Sequence, residues 1–480
     1  MTRPAVVRPN LVLAICCTSL LMVSMDTTIV NVALPAIRAD LGAQTSDLQW
    51  VIDAYTLVVA SLLMLSGSIA DRVGRRRTFQ TGLVVFIFGS ALCSFAPGLR
   101  TLIAARVLQA IGASMLNPVA MSIITNTFIE PKARARAIGM WGAVVGVSMA
   151  LGPLVGGALT QAMGWRSIFY INLPIGVVAF ILAQRFVPES KAPHARRVDP
   201  VGQLLVLAAL AALTYAVIES PQLGLGSPLI VGLAVVAVAS IAGLLVLEPR
   251  RVEPLIDLRF FRSLPFTSAT VIAVCMFSAF AGFLFLNALY LQEVRGLSAF
   301  ETGLYTLPLG LATIVCSPLS GRLVGRFGAR PSLVIAGGTV AASALALARL
   351  GPETPLPWLL ASYTVFGIGF GLVNAPITNT AVSGMPRSQA GVAAAIASTS
   401  RQVGASLGVA ISGAIVSGAI GEQARGPTAG FADATHAFWW LVVASGAVVV
   451  ILGLASTGSR ARASVARIAA LLDPEVTAGT

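Results

Sequence analysis

The chain has 480 residues, of which 56% are hydrophobic and only 11% charged, with a mean hydropathy of +0.86. A soluble domain carries about 25% charged residues, so this length signifies many membrane spans of about 20 residues each rather than several soluble domains. The net charge of +13 does not indicate nucleic acid, because the basic residues sit in short loops between apolar runs, where positive charge sets topology.

Met1 to Val23 opens with basic residues and an apolar run, as a signal peptide does. The run continues to about Leu34 without a clear small-residue cleavage site, and is read as an uncleaved first span. Fourteen spans are expected, near 10–34, 47–70, 78–96, 101–124, 137–161, 167–187, 200–219, 228–247, 265–292, 302–322, 332–350, 356–381, 390–418 and 436–457. With the N-terminus inside the cell, basic residues such as Arg3, Arg72, Arg75, Arg76, Arg77, Lys132, Arg196, Arg197 and Arg387 are cytoplasmic. Only Arg38, Arg100, Arg166, Arg295, Arg349 and Arg425 lie outside, so both termini are expected in the cytoplasm. The tail, 459–480, runs from basic (Arg460, Arg462, Arg467) to acidic (Asp473, Glu475) and reads as a short segment without a folded domain.

A repeat links the two halves. Gly67-Ser-Ile-Ala-Asp71-Arg72-Val-Gly74-Arg75-Arg76 follows the second span, and Gly321-Arg-Leu-Val-Gly325-Arg326-Phe-Gly328-Ala-Arg330 follows the tenth. Two glycines and two arginines match in register, which groups the spans as six, an inserted pair and six, a pattern of secondary transporters. The expected division is 1–190, 191–262, 263–458 and the tail 459–480.

Charges inside spans are rare, costing roughly 2.5–3.5 kcal/mol at a helix centre, and usually have a task. Here they are Asp26, Asp53, Arg106 and Arg401, with Glu219 read as an exposed cap at the edge of the seventh span. Asp26, Asp53 and Arg106 fall at comparable depth on three spans of one half, which suggests a cluster. Burial favours a neutral carboxyl and a nearby cation favours an ionised one, so Asp26 could carry a proton or simply be a satisfied partner of Arg106. Asp53 could titrate, select cationic cargo or pair with Arg106. Thr27, Thr28 and Asn31 share the Asp26 segment, where lining a cavity and helix packing are equally plausible readings. Arg401 could meet an anionic part of a substrate or an acid across a cavity. Polar residues counted toward a substrate cavity are Thr28, Asn31, Gln109, Asn117, Asn287, Asn374 and Arg401.

Other chemistries find no support. The two lysines, Lys132 and Lys191, fit no phosphate-cradling loop. Cys16, Cys17, Cys93, Cys275 and Cys316 lie in apolar segments without metal-ligand spacing. His194 and His436 sit in loops or at a segment edge, so no histidine relay is expected. No catalytic residue, metal or cofactor is expected, and an ion gradient is the simplest energy source.

Several motifs in order carry a family resemblance: Met25-Asp26-Thr27-Thr28-Ile29-Val30-Asn31-Val32-Ala33-Leu34-Pro35, the loop Gly67 to Arg77, Arg106-Val-Leu-Gln109-Ala-Ile-Gly112, Gly152-Pro153-Leu-Val-Gly156-Gly157, and Trp165-Arg166-Ser167-Ile168-Phe169-Tyr170-Ile171-Asn172-Leu173-Pro174. In these the chain resembles the major facilitator superfamily, and within it the fourteen-span drug:proton antiporters. The resemblance implies an all-α polytopic membrane protein of the major facilitator fold, with its helices arranged 6+2+6. It implies efflux of drugs or other amphipathic small molecules driven by protons. The alternative is a dedicated exporter of one native metabolite, such as an antibiotic or siderophore; a third reading is a sensor without flux. Asp26 and Arg106 take proton-coupling roles; Asp53, counted with them, departs from the neutral polar residue that many resembling relatives carry there. The loop Gly67, Asp71, Arg72, Gly74, Arg75 and Arg76 becomes a conformational gate, and Gly152, Pro153, Gly156 and Gly157 a tight antiporter seam. The partners implied are the lipid bilayer, protons and a small amphipathic substrate, with no nucleic acid. The protein is expected to be a monomer in the cytoplasmic (inner) membrane of a bacterium.

Overall fold

The computed structural model describes residues 8–192, 199–251, 254–386, 389–420 and 430–472. Arg3, His194, Arg196, Arg197, Arg387, Arg425, Asp473 and Glu475 lie outside the described residues. The described chain is all-helical and divides into two compact units, Met1–Gln203 with Leu297–Leu304, and Leu204–Gly296 with Tyr305–Thr480. Among the described residues, thirteen helices are long and apolar enough to cross a membrane.

In the first unit, α1 (Pro9–Leu41) starts with proline at its first position and ends at Gly42, whose φ of 64° closes the helix. α2 (Thr45–Val73) opens on a cap in which Asp47 accepts from the Gln44 amide at 2.8 Å. α3 (Arg75–Ser94) lies outside the thirteen, because its first turn is Arg75-Arg76-Arg77; those arginines belong to the helix rather than to the loop before it. α4 (Leu99–Thr127) and α5 (Pro131–Met163) follow. α5 runs on through Pro153, which has no amide hydrogen to donate within it. The sixth expected span is a short α6 (Ser167–Tyr170) and a longer α7 (Asn172–Phe186), parted at Ile171.

Close helix approach positions the interior of this unit. Where α3 meets α4, a Cβ at Gly89 would stand 2.6 Å from the Gln109 Cα, and one at Gly112 would strike the Phe86 backbone. Where α1 meets α5, Gly152 faces Thr28 and Gly156 faces Ile29, and Gly157 abuts Ala299 at the start of α11 (Ala299–Phe327). Gly112→Ala is therefore expected to destabilise the protein by about 1–3 kcal/mol through overpacking against backbone. A thermal melt in detergent should fall by several degrees, and an unchanged melt would mean the seam can open.

In the second unit, α8 (Pro200–Leu223) and α9 (Pro228–Leu247) precede α10 (Leu264–Leu289), which ends in a wider π turn at Tyr290–Val294. Glu219 is not an exposed cap: it lies half-buried, one turn inside the end of α8. α12 (Ala329–Leu347), α13 (Leu356–Ser383), α14 (Ala390–Ile420) and α15 (Phe431–Ala455) complete the bundle. Its aromatic centre joins Phe283 to Tyr363, Phe366 and Trp439. Trp165 and Trp439 are buried, while Trp358 and Trp440 are exposed as interface anchors would be. His436 lies inside α15, with Nε2 2.8 Å from the Leu350 carbonyl oxygen.

The tail is not featureless. Ser459–Leu472 forms α16, which buries Ala461, Ser464 and Ile468 along one face. The Ser464 hydroxyl accepts from the Leu264 amide at 3.0 Å, tying α16 to the first turn of α10. The sequence repeat has a geometric counterpart: Gly74 between α2 and α3 and Gly328 between α11 and α12 take positive φ, 128° and 80°.

Candidate functional site

Asp26 lies near the middle of α1 and is 1% exposed, so its charge needs partners from neighbouring helices. Three donors converge on it. Arg106 Nη1 of α4 donates to Oδ2 at 2.5 Å. Gln109 Nε2, one turn further along α4, donates to Oδ1 at 2.8 Å. Asn172 Nδ2, at the first position of α7, donates to the same oxygen at 3.0 Å. All three contacts use the carboxylate as an acceptor, two on Oδ1 and one on Oδ2, so a proton gained by Asp26 removes the charge that these donors answer.

The surroundings hold these donors in place. Arg106 Nη1 also donates to Gln109 Oε1 at 2.7 Å, and its Nε donates to the Val51 carbonyl of α2 at 3.1 Å. The guanidinium carbon stands 4.2 Å from the centre of the Tyr55 ring. Ser90 Oγ of α3 accepts from Asn172 at 3.1 Å and from Gln109 at 3.3 Å, and donates to the Phe169 carbonyl at 3.0 Å. Asp26, Ser90, Arg106, Gln109 and Asn172 are all at most 1% exposed. The network therefore lies in a low-dielectric interior, where removing one charge leaves the other uncompensated.

The other expected residues fall in different places. Asp53 is fully buried on α2, and its Oδ1 accepts from Thr56 Oγ1 at 3.2 Å; the Nε and Nη1 donors of Arg106 go to Val51, Asp26 and Gln109. Thr28 and Asn31 are buried and donate to carbonyls of their own helix. Asn117 is half-buried in α4 beside Pro118. Asn287 is 1% exposed and accepts from Tyr363 Oη at 2.5 Å, joining α10 to α13 within the core. Asn374 and Arg401 meet in the second unit, where Arg401 Nη2 donates to the Asn374 carbonyl at 3.3 Å.

The loop between α2 and α3 is tightly organised within its own unit. Asp71 Oδ1 accepts from Arg75 Nη2 at 2.9 Å, Arg72 is exposed and Gly67 has open space beside it. A strap after α7 closes over the loop. Glu189 accepts from the amides of Arg76 and Arg77 at 3.1 and 3.3 Å, placing a carboxylate on the N-terminus of α3. The Arg75 amide donates to the Ser190 carbonyl at 2.9 Å, and the Ala192 amide to the Asp71 carbonyl at 3.1 Å. Gly74 has a φ of 128°, which favours glycine, and a Cβ there would push against the Glu189 carboxylate, 2.6 Å from Oε1. Glu189→Ala is expected to lower stability by about 1–2 kcal/mol and to speed amide exchange in 74–78. Exchange equal to wild type would remove the strap from the loop's support.

Sequence reasoning named Asp26, Arg106 and Gln109, but missed Asn172, Ser90 and Glu189 as members of these networks. Asn172 stood inside a recognised motif, which was the available signal. Ser90 and Glu189 had none.

Comparison with known proteins supplies the remaining findings. Residues 16–409 match the family model described as Major Facilitator Superfamily. The chain is 37% identical over 397 residues to the multidrug resistance protein Stp of Mycobacterium tuberculosis, covering 83% of this chain and 74% of that protein. It is 35% identical over 403 residues to the tetracenomycin C resistance and export protein of Streptomyces glaucescens, covering 84% and 75%. With the puromycin resistance protein pur8 of Streptomyces alboniger it shares 37% over 429 residues, covering 87% and 84%. Among solved structures, a bacterial homologue of the human drug peptide transporters aligns with TM-score 0.67 at 15% identity, covering 96% of this chain and 100% of that one. A D-xylose–proton symporter aligns with TM-score 0.64 at 15% identity, covering 93% and 96%. At such identities the structural likeness concerns the fold.

Proposed function

The chain belongs to the major facilitator superfamily, among its multidrug and antibiotic exporters, and from that premise we propose that it expels amphipathic small molecules from a bacterial cell in exchange for protons. The observation that carries this reading is the Asp26 network. An acid buried in a membrane span meets an arginine at 2.5 Å and two amides at 2.8 and 3.0 Å, a set of contacts that can be exchanged when the carboxyl gains a proton. Each proton entering down a membrane potential supplies roughly 2.3 kcal/mol per 100 mV, besides its concentration term. Alternating access couples that gain to outward movement of cargo. In this reading the spans are fourteen, arranged 6+2+6, with α3 as the fourteenth. The termini are cytoplasmic, and the protein works as a monomer in the cytoplasmic membrane without a cofactor.

Reconstituted vesicles with an imposed pH gradient test the proposal. A panel of dyes and antibiotics should accumulate only while the gradient persists, and cargo addition should release protons. Absence of both effects across the panel sinks it. A second reading, a dedicated exporter of one native metabolite, is favoured by the similarity to a protein that exports tetracenomycin C. The breadth of the panel separates the two, since a dedicated exporter moves one chemical class and leaves the rest.

A further inference from the structure

Arg401 is the one charged side chain set well inside α14, and its surroundings contrast with those of Arg106. Arg106 meets a carboxylate. Arg401 Nη2 donates to Thr378 Oγ1 at 2.6 Å and to the Asn374 carbonyl at 3.3 Å, both neutral oxygens on α13. Its Nε is buried and donates to nothing among the described residues. The residue as a whole is half-buried, so it keeps some exposed surface beside the sealed Nε.

The position is built rather than incidental. Gly404, three residues on, brings α14 against the α10 backbone, where an added Cβ would stand 2.8 Å from the Val274 Cα. That approach sets the guanidinium 5.8 Å from the centre of the Phe277 ring on α10. On α13, Asn374 is half-buried and Thr378 exposed, so the exposed surface beside Arg401 is polar. A cation in a span with its open side in hydrocarbon is costly, whereas one beside a water-filled path is not. With both Nη2 hydrogens engaged by α13 and Nε sealed, Nη1 carries the hydrogens left for an incoming oxyanion, to which a guanidinium gives a charge-assisted bond.

We propose that Arg401 docks a carboxylate of the exported compound, with Phe277 as the flat surface beside it. This assigns a substrate class, amphipathic compounds bearing an acidic group, and it rests on the export reading above. The partners supplied by the chain are acceptors that locate the guanidinium. The carboxylate supplies the counter-charge that α13 lacks.

The test uses two dyes that differ only at the group in question, rhodamine 110 with a free carboxylate and rhodamine 123 with its methyl ester. Binding to the purified full-length protein is read at equilibrium in nanodiscs without a gradient, so the outcome does not depend on whether transport is proton-driven. Wild-type protein is expected to prefer the acid by roughly tenfold, the scale of one charge-assisted hydrogen bond. Arg401→Gln should lose that preference while still binding the ester, which also shows that it folds. Arg401→Lys should retain only part of it. Equal binding of the two dyes by wild type, binding of neither, or an acid preference that survives in Arg401→Gln overturns the assignment. So does displacement of the acid when phosphatidylglycerol replaces phosphatidylcholine, since the occupant would then be a lipid headgroup.

Discussion

Asp26→Asn is expected to reduce proton-driven export to the background of empty vesicles while leaving a folded, membrane-inserted protein. Asparagine has the shape of the carboxylate and keeps one carbonyl oxygen, so the two amide donors from Gln109 and Asn172 can still be received. Its amide nitrogen then faces Arg106 Nη1, donor against donor, at a cost of about 1–3 kcal/mol. That loss is tolerable for a bundle of this size, but the amide cannot titrate, so the gradient has no entry. The measurement is dye uptake into inverted vesicles under an imposed pH gradient, with the thermal melt as the control for folding. Uptake at the wild-type rate would take Asp26 out of the mechanism.

Arg106→Ala is expected to be the more damaging change to the fold. It strips the cation from an acid that is 1% exposed, and an uncompensated buried charge costs about 3–5 kcal/mol. It also frees the Val51 carbonyl and leaves a void against Tyr55. The decisive comparison is with the double variant Asp26→Asn, Arg106→Ala. Removing the acid as well should recover part of the lost stability, a coupling of about 0.5–3 kcal/mol between neighbours. Strictly additive melts would mean that the pair is not a coupled unit.

The partnership of Asp26 with Arg106 was legible in the sequence because charges are so scarce in apolar runs that two at similar depth need each other. The rest of the network was not. Amides and hydroxyls within spans bond backbone as readily as side chains, as Asn31 and Thr28 do here. The close packing of α3 on α4 at Gly89 and Gly112 explains why Ser90 and Gln109 reach each other. Asn172 reaches Asp26 because the chain breaks at Ile171 and restarts a helix there, an event that no periodicity announces. Glu189 was hidden for a different reason, since it acts on backbone amides that any sequence would supply. The helix at Ser459–Leu472 could have been found: Ala461, Ser464 and Ile468 lie at helical spacing, a signal masked by reading the tail for its charges alone.

The density of bonding in the Asp26 network bears on how such a protein can change over generations. Each of its members is held by at least two others, so single substitutions there lose stability or coupling before any gain can follow. Around Arg401 the contacts are few and some surface is exposed, so neighbouring side chains can be exchanged one at a time. On the proposed reading, cargo preference is thereby free to drift in the second unit while the coupling chemistry of the first stays fixed. Laboratory selection for resistance to a new compound should collect its substitutions on α10, α13 and α14 and leave Asp26, Arg106, Gln109 and Asn172 untouched.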